Sequence, residues 1–303
     1  MRWISAVSAD GGLIYKAADK MELKLFKTLW GRTGSIALAA DQAVGAGFAG
    51  LEGGSDGNQV YRDELLQALQ TRQLEYIQEI VTAGGYVPRR QASVQEHVAD
   101  VARQLQLGQM LEPRSVTIIG GCDAWSPEQS VRFFGEAQEV AARMGITCSF
   151  ETHRSRSLFN PWTTLAILQR LPELRLTCDF SHWVVVMERQ LDEDWEVVLE
   201  VARHAHHIHA RVGYDQGPQV PHPAAPEYAT ALASHQRCWE AIWTMQLGTG
   251  YSVTTMTPEF GPDGYLHTLP FTHQPVADLW EINSWMGKTE KSHFQDWQTS
   301  LSK

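Results

Sequence analysis

The sequence predicts an α/β protein built as a single-domain (β/α)8 TIM barrel. Three observations predict it. Eight strand-like runs alternate with helix-sized segments along the 303 residues. Parallel strands in such an alternation need crossover helices, and eight of these units close into a barrel. Four of the later runs end on metal-ligating residue types, Glu151, Asp179, His209 and Glu259. A barrel brings all such strand tips to one face.

The elements follow in order. Residues 23–30 are strand-like and closed by Gly31; 35–44 are alanine-rich and helix-prone, with Gly45 placed to end the helix. Residues 47–52 read as the second strand. Leu65, Leu66 and Leu69 mark 61–73 as a helix by their i, i+3, i+4 spacing. Residues 74–83 are ambiguous, and topology places the third strand at about 80–86. An amphipathic helix over 94–111 precedes a fourth strand at 115–119. Ser126, Pro127 and Gln129 supply an N-cap, a first-turn proline and a capping-box partner, and Gly145 stops that helix. The fifth strand is 146–151. Asn160-Pro161 opens the next helix in the same way, and the sixth strand is 174–179. A helix at 192–204, a strand at 207–212, a helix at 226–246, a strand at 252–259 and a closing helix at 275–286 complete the pattern. Residues 1–20 form an extension ahead of the barrel, 21–290 the catalytic domain, and 291–303 a C-terminal tail. An open doubly wound sheet is the rival fold. It would ordinarily carry a glycine-rich phosphate turn, and no G-x-G-x-x-G is present. The longest irregular stretch, 213–226, follows His209 on the face that carries the strand tips.

Twenty-five basic against 35 acidic residues give a formal net charge of −10, which argues against nucleic acid or an anionic membrane as partner. No apolar run approaches the roughly 18 residues of a membrane span, and the first residues lack the apolar core of a signal peptide. The four cysteines show no C-x-x-C spacing and read as small buried hydrophobes. These features predict a cytoplasmic, reduced protein with a small-molecule partner; assembly into a homo-oligomer stays open.

Glu151, Asp179, His209 and Glu259 together suit one divalent metal per chain. Oxygen donors with a single imidazole favour Mn²⁺, with Mg²⁺, Co²⁺ or Zn²⁺ open. His207 lies two residues before His209 on the same side of its strand, one layer deeper, and reads as packed or supporting. His182, three residues past Asp179, is placed to contact a substrate oxygen. Arg211 faces the same mouth, where a guanidinium can hold a hydroxyl or an anionic group. His153, Arg154 and Arg156 crowd behind Glu151; His153 is taken as the one that enters the site. Trp30, Trp125 and Trp183 fall at or beyond strand ends, and Trp30 is the candidate aromatic wall for a sugar ring.

Lys-containing Phe-Lys-Thr-Leu-Trp-Gly at 26–31, Ser-Phe-Glu-Thr at 149–152, Cys-Asp-Phe-Ser-His at 178–182, His-Ile-His-Ala-Arg at 207–211 and Thr-Pro-Glu-Phe-Gly-Pro at 257–262 carry a resemblance. Over about 23–286 the chain resembles the xylose isomerase-like TIM-barrel superfamily, the sugar phosphate isomerase/epimerase group that includes D-tagatose 3-epimerase. The resemblance implies a divalent metal on Glu151, Asp179, His209 and Glu259, and substrate contact by His182. Two positions depart from the epimerase pattern. A Glu stands six residues beyond the first metal Glu in the epimerases, and here that residue is Ser157. Their substrate Arg lies six residues past the metal His, where this chain has Asp215 and carries its Arg at 211. Abasic-site endonuclease IV fits less well, because the charge is wrong for DNA and its additional His ligands are not evident.

The expected activity is metal-dependent isomerisation or epimerisation of a sugar-like substrate. Proton abstraction next to a carbonyl would pass through an enediolate, with Glu151 and Glu259 as the catalytic pair. A lyase or dehydratase acting on a keto-sugar or related polyol acid is the alternative. A catalytically idle metal- or sugar-binding protein is a third reading.

Overall fold

The computed structural model describes residues 20–301 apart from 56 and 263. Eight parallel strands pair in chain order and close on themselves: β1 Glu22–Thr28, β2 Gly50–Gly54, β3 Glu75–Val81, β4 Ser115–Ile119, β5 Cys148–Glu151, β6 Leu176–Cys178, β7 Ala205–His209 and β8 Val253–Thr257. Closure is made where Glu22 to Leu25 of β1 pair with Val253 to Met256 of β8. Nine α-helices accompany the described strands: α1 Ile36–Gly45, α2 Gln59–Arg72, α3 Val94–Gly108, α4 Pro127–Arg143, α5 Pro161–Leu168, α6 Ser181–Met187, α7 Trp195–Ala202, α8 Ala229–Gly248 and α9 Leu279–Ser300. The expected single (β/α)8 barrel is therefore what the chain forms. No helix among the described residues is long and apolar enough to cross a membrane.

Local chemistry sets the helix starts. Ser126 accepts from the Gln129 amide while the Gln129 side chain accepts from Ser126 N–H, with Pro127 in the first turn. Ser93 and Glu96 form the same reciprocal pair at α3, and Asn160 caps α5. Each cap satisfies amides that the first turn leaves without partners.

The barrel interior is unusually rich in hydroxyls. Thr117 on β4 reaches Thr177 on β6 at 3.1 Å and Glu52 on β2 at 3.1 Å. Ser149 meets Thr177 at 2.7 Å. Such a network holds buried polar groups only because its members pair with one another. The apolar core lies between strands and helices, and on the α8–α9 side Trp243 packs against Phe294 and Trp297 with ring centres 4.9 and 5.5 Å apart.

Two expectations are corrected. The third strand runs Glu75–Val81 rather than 80–86. Gln78 and Glu79 in its middle mask it: Gln78 turns out to the helices, bonding Ser55 Oγ and the Gln104 carbonyl at 2.7 Å each. The closing helix does not stop near residue 286. It continues through the segment expected as a tail, because Gly287 packs under Phe48, where a Cβ would sit 2.5 Å from the ring. The short helix α6, which begins two residues after Asp179, was not expected at all. Trp183, in that helix, is fully buried and donates to the Leu158 carbonyl, so it packs the core. The extension at 1–20 lies, except for Lys20, outside the described residues.

Gly50 tests the packing beneath the second strand tip. A Cβ there would lie 2.3 Å from the Glu75 carbonyl oxygen and 2.5 Å from the Phe26 ring. Overpacking of this kind costs about 1–3 kcal/mol. Gly50→Ala is expected to lower the melting temperature by several degrees; an unchanged melting curve would show that β2 and β3 have room to separate.

Candidate metal centre and active site

Four strand tips converge. Glu151 ends β5, Asp179 follows β6, His209 ends β7 and Glu259 lies just beyond β8. All four are buried, and each offers a ligand atom within 4.8 Å of the others. His209 Nδ1 is 3.0 Å from Glu259 Oε2 and 3.5 Å from Glu151 Oε2. Among the described residues, His209 Nδ1 and Glu151 Oε2 have no hydrogen-bond partner. Buried polar atoms left unmatched are costly. A divalent cation between these two atoms satisfies both, so the residues present fit the metal that the sequence pattern implies. The set of three carboxylates and one imidazole is the donor chemistry of Mn²⁺, Mg²⁺ or Co²⁺.

Glu52, in the middle of β2, orients the imidazole. Its Oε1 accepts from His209 Nε2 and its Oε2 from His207 Nε2, both at 3.1 Å. A carboxylate only accepts, so His209 donates to Glu52 from Nε2, and Nδ1 is the atom left facing the centre, a lone pair once a cation displaces its proton. Thr257 and Thr117 hydroxyls donate to the same carboxylate. His207 is held one layer deeper by Thr255 Oγ1 at 2.7 Å, as its position in the strand predicted. Burial opposes the Glu52 charge, yet the charges and hydrogen bonds of His207 and His209 hold its pKa well below the ordinary carboxyl value.

The carboxylates crowd one another. Burial pushes Glu151 up to about 7, against the pull of the nearby His209 charge. Glu79, on β3, is raised well above the usual range by burial and then by the charges of Glu259, Glu151 and Glu52. Burial disfavours charge on His209, but Glu259, Glu52 and Glu151 together raise its pKa well above that of free histidine. The buried negative charge that raises the pKa values of Glu79 and His209 is what a bound cation would relieve.

Cationic and aromatic groups surround this core. Arg211 donates to Asp179 Oδ2 and, at 3.1 Å, to Ser181 Oγ. It also donates to His182 Nε2 at 2.7 Å. It is thus turned onto a metal-ligand carboxylate. His182 then carries its proton on Nδ1, a buried donor with no partner among the described residues. The His153 ring lies against His182, tilted by 44° with ring centres 3.9 Å apart. Both imidazoles have pKa values well below normal, His153 through burial and then Arg211, His182 through burial and then His153 and Arg211. Trp30 meets Tyr265 at 5.1 Å and Tyr86 at 5.5 Å between ring centres. Gly261 permits this, since a Cβ there would lie 1.9 Å from the Trp30 ring.

The chain belongs to the xylose isomerase-like TIM-barrel family. The model of that family matches residues 40–218, more than half of the chain. No curated protein matches the sequence. Among solved structures, an L-ribulose 3-epimerase is similar with 14% identity and a TM-score of 0.63, covering 93% of this chain and 97% of its own. A D-allulose 3-epimerase from Methylomonas sp., in complex with D-allulose, has 14% identity and a TM-score of 0.59 over 92% of this chain and 100% of its own. A probable 3-DHS dehydratase, AsbF of Bacillus anthracis, has 14% identity and a TM-score of 0.57 over 88% and 98%. At such identities the likeness is one of fold.

In this xylose isomerase-like barrel the structure brings together Glu151, Asp179, His209, Glu259, His182, His153 and Arg211, and places Trp30 in an aromatic wall. The sequence reading missed Glu52, Glu79, Tyr86 and Tyr265. Glu52 carried a usable signal, a carboxylate closing a strand-like run. Glu79 was hidden by the misplaced third strand.

Proposed function

We propose that this barrel is a divalent-metal-dependent isomerase or epimerase of a sugar-like carbonyl compound. The observation that carries the reading is the convergence of Glu151 and Glu259, from strands well apart around the barrel, on the same His209 Nδ1. A divalent cation held by Glu151, Asp179, His209 and Glu259 would supply Lewis acidity, polarising the substrate carbonyl and acidifying the neighbouring C–H. Glu151 and Glu259 then divide proton removal and proton return between the two sides of the substrate carbon. His182 Nδ1–H, the buried donor without a partner, hydrogen-bonds the oxyanion of the enediolate. Arg211 fixes Asp179 and His182, and the Trp30, Tyr86 and Tyr265 rings form an apolar wall that limits water.

One observation favours a second reading, a lyase or dehydratase acting on a keto-sugar or related polyol acid. Burial and the charges of Glu259, Glu151 and Glu52 push the Glu79 carboxyl well above the usual carboxylate range, and β-elimination needs an acid for its leaving hydroxyl. Incubation of the Mn²⁺-loaded protein with a panel of ketoses in deuterated water separates the two. Deuterium entering the substrate carbon without loss of water is expected, and chelation of the metal should abolish it. Loss of water would establish the lyase. No exchange with any substrate in the panel would reduce the protein to a metal- or sugar-binding role.

A further inference from the structure

Arg154 is a guanidinium beside the site that no carboxylate among the described residues neutralises. It lies three residues past Glu151, in the loop after β5. That loop is tightly held on both sides of it. The Arg154 carbonyl is hydrogen-bonded by His153 Nδ1. Ser155 adopts φ 65°, in the left-handed region that non-glycine residues seldom enter, so the chain turns sharply there. Arg156, fully buried, donates to the carbonyls of Tyr86, Thr82, Gly121 and Gly85. Arg154 is left half-buried between these anchors, its guanidinium carbon 4.9 Å from the centre of the Tyr265 ring.

The three arginines here have different employment. Arg211 is taken by Asp179, and Arg156 by four backbone carbonyls. Arg154 forms no ion pair and no side-chain hydrogen bond with a described residue. Tyr265 also touches Arg211, at 4.8 Å, and His182, at 6.2 Å between ring centres, so Arg154 stands one ring away from the groups that face the metal. Stacking on an aromatic face holds a guanidinium in plane and leaves its N–H edge free, the edge that pairs with a planar carboxylate or a phosphate.

We infer that Arg154 is a specificity-determining residue that binds an anionic group, a carboxylate or a phosphate, on the end of the substrate remote from the metal ligands. This rests on the isomerase reading of the same site. A neutral ketose covering the mouth would bury this cation without a counter-charge, whereas an acid or phosphate of similar length would pair with it. The anionic role expected of Arg211 thereby passes to Arg154, because Arg211 is already committed to Asp179.

The test is binding rather than turnover. Calorimetric titration of the full-length, Mn²⁺-loaded protein would compare D-fructose, D-fructose 6-phosphate and 2-keto-D-gluconate at one fixed salt concentration. At least one anion is expected to bind about 10- to 100-fold more tightly than fructose, as a charge-assisted pair predicts, and the tighter of the two identifies phosphate or carboxylate. Arg154→Gln should collapse that ratio by about tenfold or more while metal content per chain is unchanged, and Arg154→Lys should recover part of it. If neither anion binds more tightly than fructose, or if Arg154→Gln weakens all three ligands equally, the assignment is wrong. Because these readouts need no turnover, absence of deuterium exchange would overturn the isomerase reading and leave the binding result standing.

Discussion

Glu151→Gln and Glu259→Gln are each expected to lower turnover by at least about 10²-fold, the scale of a lost general base, with the barrel intact. The replacement is nearly isosteric, so packing is unchanged. The amide cannot take a proton from carbon, and it offers the centre a weaker oxygen. The stability of the metal-free protein should hold or rise, because either substitution removes one of the charges that add to burial in pushing Glu79 up. Deuterium exchange, circular dichroism and bound Mn²⁺ measured on the same preparations separate the causes. A variant that saturates with Mn²⁺ and still fails to exchange has lost its base. One that binds no Mn²⁺ has lost its site. Losses of less than about tenfold in both variants would assign proton transfer to other groups, with Glu79 the next to examine.

How far the sequence reveals this site depends on what kind of signal each residue leaves. The four candidate ligand residues are legible because each closes an apolar run, and strand tips in a barrel share one face. Caps are legible for the same local reason: Ser126, Pro127 and Gln129 announce a helix within four residues. Residues whose meaning comes from across the barrel leave little trace. Glu79 sits in Glu-Tyr-Ile-Gln-Glu-Ile-Val, where two adjacent polar residues break the apolar run. Only closure shows that Gln78 faces the helices while Glu79 faces the charges of Glu151 and Glu259. Gly287 looks like a helix end and is instead a contact with Phe48. Tyr265 lies in a loop far from β1 in sequence, and its meeting with Trp30 depends on Gly261 giving way to the indole. Arg211 is legible in position and not in partner: its place at a strand tip shows in the sequence, and its pairing with a carboxylate 32 residues earlier does not.

Glu52→Gln is expected to weaken Mn²⁺ binding by about 10- to 100-fold, the usual effect of losing the group that orients a ligand, although residue 52 touches no metal. The reason is the proton on His209. Glu52 accepts from His209 Nε2 and from His207 Nε2 at once. A glutamine there has only one accepting oxygen, so its NH₂ must face one of the two imidazoles. If it faces His209, Nε2 must become the acceptor and the proton moves to Nδ1, the atom 3.0 Å from Glu259 that a metal needs as a lone pair. If it faces His207, the Thr255 contact at 2.7 Å must invert and the deeper layer loses its order. Thr257→Val removes a hydrogen bond to the same carboxylate without disturbing either tautomer, and should cost much less Mn²⁺ affinity. His207→Ala belongs in the same series: it is expected to lower the melting temperature while retaining the metal, whereas His209→Ala loses the metal. Wild-type Mn²⁺ affinity in Glu52→Gln would mean that His209 is oriented by other contacts. Metal lost in His207→Ala and kept in His209→Ala would shift the ligand two residues down the strand.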